Sequence, residues 1–501
     1  MRHRVKAAAF AALALCWVGS AQAAWRQAQT RHFTVYSEGS DTQLRGFAER
    51  LEKFDMLLRR MNGVDDPAAG APVKVYILSS SGKVKALAHN PNIGGFYRTS
   101  DRNAFAVLSR EQKSNQFDHG AEEILFHEYA HHFMLHHFPA AYPAWYVEGF
   151  AEFFSTVKFK QDGGIQFGLV PMARVPALVL VSPYPVKNLF ARDTEGLSLR
   201  DGDRYYGTAW LLTHFYQYTK TGRRDEIRRY LHDVAMGVPD LKPDSYFAGG
   251  LEGLEKDLVA YMRHPLTGSV YKPLPAPQDG AIEVKPLDAV QGALVEDELR
   301  LIAAPRTEDL PTIVNAVRAT AARYPDSAYA LALLAEAEWA ADERDKALAD
   351  ADRAIAVDPK SARGYAVRAE ALLDKAQGSD RAEDWKAALT AIVRANRADT
   401  EDPVPLALFY RYHAMQGGPM PQIGYDGLQK AFGLLPQNPS YRMNFARALS
   451  VRGDYAQASA LLDPIAYSPH GSEMRDAALK LKARWDAQAS AKAKGNPAPA
   501  P

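Results

Sequence analysis

His119-Gly120-Ala121-Glu122-Glu123-Ile124-Leu125-Phe126-His127-Glu128-Tyr129-Ala130-His131-His132-Phe133-Met134-Leu135-His136-His137 holds six of the chain's fourteen histidines. Ile124, Leu125, Ala130, Phe133 and Met134 recur at helical spacing, Asp118 can cap the N-terminus, and Glu122 and Glu123 suit its positive end. Pro139 ends the pattern, so a helix is predicted over about 119–137. On that helix His127 and His131 share one face with Cβ atoms about 6 Å apart, close enough to bind one ion at about 2.1 Å each. Glu128 is then rotated toward the open side of the ion, where it can hold and deprotonate a bound water. A second helix opens at Trp145-Tyr146-Val147-Glu148-Gly149-Phe150-Ala151-Glu152, after a turn at Pro139 and Pro143. From an antiparallel neighbour Glu148 would face back and complete a three-ligand zinc site with an open position. Glu152, one turn later, can accept the free N–H of a liganded histidine and fix its tautomer. His132 and His136 are also four apart, but they and His137 lie on other faces without a carboxylate, which predicts solvated or locally hydrogen-bonded rings. His119 is undecided.

HExxH followed by W-x-x-E-G-x-A-E resembles the gluzincins, the thermolysin-like and aminopeptidase-N-like zinc peptidases, over about residues 30–264. The resemblance implies an α+β zincin-like metallopeptidase domain binding Zn2+. It makes His127, His131 and Glu148 the ligands, Glu128 the general base that activates a zinc-bound water, and Glu152 a supporting residue. It also implies a downstream oxyanion donor, for which Tyr206 in Tyr206-Gly207-Thr208-Ala209-Trp210 is the candidate and Tyr205 the alternate. The Gly-x-Met-Glu-Asn segment of the aminopeptidases has no counterpart between Gly94 and Leu108. The expectation is therefore an endopeptidase or selective processor, with the strand Asn103–Leu108 accepting an extended peptide along its edge.

Upstream of this region, Arg2, Arg4 and Lys6 precede the apolar stretch 7–19, and Ala21-Gln22-Ala23 is a small-x-small cleavage signature. Residues 1–23 read as a secretory signal peptide, so the mature protein is expected to be periplasmic or secreted. The one cysteine, Cys16, falls inside it, leaving no disulfide to hold the mature chain. Strands are predicted at 32–37, 73–78 and 103–108, a helix at 41–61, and a hairpin over 156–168 turning at Asp162-Gly163-Gly164. Helices at 205–218, 224–236 and 251–263 close a domain assigned to 24–264. Segments 163–175 and 193–203 are candidate lids.

Downstream, Pro265, Pro273, Pro275, Pro277 and Pro286 mark 265–306 as a Pro-rich linker and connector. Residues 307–485 become Ala-rich and helical, with Pro325 and Pro359, and again Pro405 and Pro439, 34 residues apart. With Leu331, Leu334, Ala335, Ala347, Ala351 and Ala354 between the first two, this resembles tetratricopeptide repeats, and so does Gly453-Asp454-Tyr455-Ala456-Gln457-Ala458. Copies within 362–439 depart in length. The resemblance implies an all-α helical repeat domain binding protein partners or substrates, followed by a disordered tail at 486–501.

The 501 residues are 47% hydrophobic and 24% charged, which is globular composition for two or three domains. Lys plus Arg is 60 against 59 for Asp plus Glu, so no positive field gathers nucleic acid. No apolar run after residue 23 is long enough to span a bilayer. Two functions follow as expectations: an exported zinc metallopeptidase, or an inactive zincin-fold scaffold whose repeats assemble envelope or secreted proteins. Under the first, a chain cut at residue 270 would carry the chemistry by itself.

Overall fold

The computed structural model describes residues 25–65, 71–91, 93–111, 120–191, 197–238, 240–272, 282–303, 305–468 and 474–494. The predicted signal peptide, Cys16, His119, part of the 193–203 segment, Pro273, Pro275, Pro277 and the last residues of the tail lie outside them. A six-stranded sheet in the order β4-β5-β3-β2-β1-β9 organises the N-terminal half. It comprises β1 (Arg26–Gln29), β2 (Phe33–Ser37), β3 (Val73–Leu78), β4 (Gly95–Thr99), β5 (Ala104–Ser109) and β9 (Val284–Pro286). β2, β3 and β5 run parallel, while β4 pairs antiparallel to β5, β1 to β2 and β9 to β1. Helix α1 (Asp41–Asn62), capped by Ser40, makes the β2-to-β3 crossover, and α2 (Ser81–Ala88) follows β3.

Alternation along the strands sends Phe33, Val35, Val75, Ile77, Ala106 and Leu108 to one face, against α1 and the metal-motif helices. Tyr76, Leu78, Phe105 and Val107 go to the other, against α2 and Val295 and Leu299 of α9 (Ala289–Ile302). On the first face sit α3 (Ala121–His137) and α4 (Ala144–Ser155), then the hairpin β6 (Lys158–Phe159) and β7 (Ile165–Phe167). There follow α5 (Val186–Leu189), α6 (Leu199–Tyr218), α7 (Arg223–Ala235), α8 (Gly250–Met262) and β8 (Ser269–Tyr271), which pairs with β7.

Three expectations are corrected here. The strand at 103–108 is not an edge: β5 is flanked on both sides, and β4 is the outermost strand. The 265–306 segment is not merely an extended connector, because β8 and β9 join the two sheets and α9, capped by Asp288, covers Tyr76 and Phe105. Nor is the tail disordered from 486, since α20 (Arg475–Ala493) continues past the buried Trp485 and Gln488.

From α9 onward the chain is a helical-repeat region. It runs through α10 (Leu310–Arg323), α11 (Ala328–Ala340), α12 (Arg344–Val357), α13 (Ala362–Gln377), α14 (Ala382–Ala398), α15 (Pro403–Met415) and α16 (Gln422–Leu434). It closes with α17 (Pro439–Val451), α18 (Tyr455–Leu461), α19 (Asp463–Ala466) and α20. Each odd helix from α11 to α17 packs with the even helix after it. α11 and α13 begin 34 residues apart, whereas α13 and α14 are lengthened to 16 and 17 residues, which shifts the copies that follow. Successively, α9, α11, α13 and α15 touch one another and form an inner layer. No helix among the described residues is long and apolar enough to cross a membrane.

Candidate metal centre

Two local devices place the motif. The carboxylate of Glu123 accepts a hydrogen bond from Gly120 N (3.0 Å), closing the first turn of α3. On α4, Gly149 lets the helix approach α6 closely: a Cβ there would stand 2.2 Å from Thr213 Oγ1 and 2.4 Å from Ala209 O. That approach, with Trp145, Phe150 and Phe153 fully buried around it, turns Glu148 back toward α3, where it is only 1% exposed.

His127 Nε2 and His131 Nε2 lie 3.1 Å apart, and Glu148 Oε2 is 3.4 Å from each. An ion held tetrahedrally by bonds of about 2.0–2.1 Å requires donor-to-donor separations of about 3.3–3.4 Å. The three donors therefore form a triangle of the size zinc needs, and two imidazoles with one carboxylate are a donor set zinc accepts. Burial alone would lower the basicity of His127, but Glu148, Glu152 and Glu128 outweigh it and raise its pKa above the ordinary value. Such a field favours a cation at this point. His127 Nδ1 faces Glu152 Oε1 at 3.6 Å, on the side away from the other donors.

Glu128 is half-buried, and its charge reaches His127, Tyr206 and Tyr97. Tyr206, on the second turn of α6, has its ring 6.2 Å from that of His127. Its hydroxyl is held protonated, its pKa raised chiefly by the charge of Glu148 and then by burial. Tyr205, the alternate, is 2% exposed and packs edge-on against Tyr184 within the core.

Arg174 was not singled out by sequence reasoning. Its guanidinium donates to Glu152 Oε1 (2.8 Å) and Asp203 Oδ1 (2.6 Å) and lies 4.7 Å over the Tyr206 ring. The two candidate lids, 163–175 and 193–203, thus meet through this one side chain. Its only signal in the sequence is a cation in the 163–175 segment that follows Gly163, Gly164 and Gly168. No protein-family model matches the chain. Nor does any curated protein. Among solved structures, a thermophilic TPR protein from Thermus thermophilus is 20% identical, covering 41% of this chain and 100% of that one with a TM-score of 0.32. YrrB, a TPR protein with an unusual peptide-binding site, is 18% identical over 36% of this chain and 86% of its own (TM-score 0.28). MamA is 16% identical over 37% and 92% (TM-score 0.25).

The other described histidines of α3 are engaged elsewhere. His132 Nδ1 lies 2.7 Å from Tyr97 Oη, and burial with the neighbouring His136 and His137 drives its pKa well below the usual value. A second cluster, His32 with Glu52 and Asp55, could also surround an ion. There Asp55 is taken up by Arg59 (2.6 Å) and Tyr129 (2.7 Å), and Glu52 accepts from both His32 N (2.8 Å) and the His32 ring. That network is an internally neutralised brace beneath α3.

Proposed function

We propose that this protein is a zinc-dependent metallopeptidase acting outside the cytoplasm, an endopeptidase by preference, with a gluzincin-like site and tetratricopeptide-like repeats that engage proteins. The observation that carries the reading is the triangle of His127, His131 and Glu148 donors, with the protonated Tyr206 ring 6.2 Å from that of His127 and Glu128 close enough for its charge to reach both. His127, His131 and Glu148 would hold the ion, and Glu152 would orient His127 through Nδ1. A bound zinc supplies Lewis acidity, lowering the pKa of water toward about 7 and polarising a carbonyl. Glu128 accepts the proton of the attacking water and later delivers it to the leaving amine. Tyr206 donates its hydroxyl proton as a hydrogen bond to the oxygen that gains negative charge. Arg174 keeps the Tyr206 ring and Glu152 in place. An extended substrate would lie along β4, the true edge, rather than β5.

Metal content by plasma mass spectrometry on the purified mature chain tests this reading. About one zinc per chain, lost or weakened in both His131→Ala and Glu148→Ala, is the expected result. Absence of zinc after reconstitution would overturn it, and loss in His131→Ala alone would remove Glu148 as a ligand.

A further inference from the structure

The second histidine pair and the β4–β5 turn stand outside the metal centre, yet residues hundreds of positions away hold both. Arg102, in the turn, donates from Nη1 to Glu336 Oε1 on α11 (2.8 Å) and from Nε to Asp402 Oδ2, the N-cap of α15 (3.3 Å). The neighbouring carbonyls are read as well: Tyr441 Oη on α17 donates to Asp101 O (2.6 Å), and Asn438 Nδ2 to Ser100 O (3.1 Å). Next to them Gln437 Nε2 lies 3.1 Å from His136 Nδ1. His136 stacks on His132 with ring centroids 6.0 Å apart, and His132 meets Tyr97 of β4. Residues from α11, α15 and α17 therefore converge on one four-residue turn and, through it and the histidines, on the edge strand.

We propose that the inner face of the helical array is a clamp whose ligand is in cis. It recognises the arginine-bearing turn Ser100–Asn103 together with His136, and so fixes β4 against α3. Helical arrays use their concave face to bind extended partners. Here Glu336 and Asp402, which need a cation once buried, already have Arg102, and Glu336 also has Arg363 of α13 (2.9 Å). Arg102 is a positioning residue for β4. The inference rests on the proposed function only where β4 is taken as the substrate's edge.

Full-length Arg102→Leu, Arg102→Lys and Tyr441→Phe chains test the clamp by amide hydrogen exchange over 95–109. Arg102→Leu is expected to speed exchange there about 10-fold, with partial recovery in Arg102→Lys, while β2, β3 and α1 keep wild-type protection. Zinc stoichiometry should be unchanged, and KM for a peptide should rise about 10-fold with kcat within about 3-fold. Should Arg102→Leu fail to fold, Tyr441→Phe, which deletes one hydrogen bond and no charge, is expected to speed exchange about 3-fold in the same segment. Wild-type exchange over 95–109 in the variants, or an equal rise throughout the chain, overturns the clamp. Exchange is read without any turnover, so a wild-type protein lacking zinc or activity would sink the peptidase reading and leave this result standing.

Discussion

Glu128 and Glu152 flank the His127 ring with opposite assignments, and each has its own test. Replacing Glu128 by Gln keeps the shape and removes the proposed proton acceptor. Turnover is expected to fall about 10²–10⁴-fold with zinc content unchanged; full hydrolysis by this variant would remove Glu128 as the base. Glu152→Ala takes away the carboxylate facing His127 Nδ1. Zinc affinity, measured by chelator competition, is expected to weaken about 10–100-fold. Five of the site's residues were legible because HExxH and E-G-x-A-E each place their side chains by helical spacing alone. Arg174 follows the β6–β7 hairpin and Asp203 sits early in α6, in segments that no shared period ties to the motif helices, and only their meeting in space marks them.

Helix packing decides whether those spacings become a site. Gly149 is the contact point of α4 with α6, and a methyl group there meets Ala209 O and Thr213 Oγ1 well inside van der Waals distance. Gly149→Ala is expected to cost about 1–3 kcal/mol in a denaturant melt, and to loosen zinc by shifting Glu148. A melt identical to wild type would mean the helices are not held that tightly. His137 and His214 are among the histidines of this helical layer that make stability depend on pH. Burial lowers His137, helped by His136 and Arg59, and His214, each to about 4. In the unfolded chain they take up protons near 6.5. Between those values the unfolded state binds more protons, so stability present above pH 6.5 is lost as pH falls toward 4. Thermal melts at pH 7 and 5 should show this drop, reduced in a His137→Gln, His214→Gln chain. Across the sheet, α9 escaped sequence reasoning for a local reason. Its apolar residues Leu294, Val295 and Leu299 keep helical spacing, but five prolines within 265–286 dominate the composition just ahead of it.

What no local pattern conveys is that the two halves complete each other. Leu435 and Tyr441 of the array belong to the core built around the sheet and α3, and Arg98 of β4 donates to Ala303 O at the end of α9. Strand, helix and repeat signals were each readable from short windows. The joining contacts link Ser100 to Asn438 and Arg102 to Asp402, some 300 residues apart, and short-window periodicity carries no such information. These contacts lead to a prediction that runs against the expectation that residues 24–270 would work alone. Such a fragment loses β9, which leaves β1 as an open edge, and loses the part of the cover over Tyr76, Phe105 and Val107 that α9 supplies beside α2. Val295 and Leu299 each contribute about 1.5–3 kcal/mol of apolar burial that the fragment forgoes. It is expected to bind a hydrophobic dye and to aggregate, whereas a chain ending after α9 regains the cover but not the clamp. That longer fragment should stay soluble, bind zinc, and exchange rapidly over β4. Equal melting temperatures for the 24–270 fragment and the full chain would show instead that the sheet needs neither α9 nor the array.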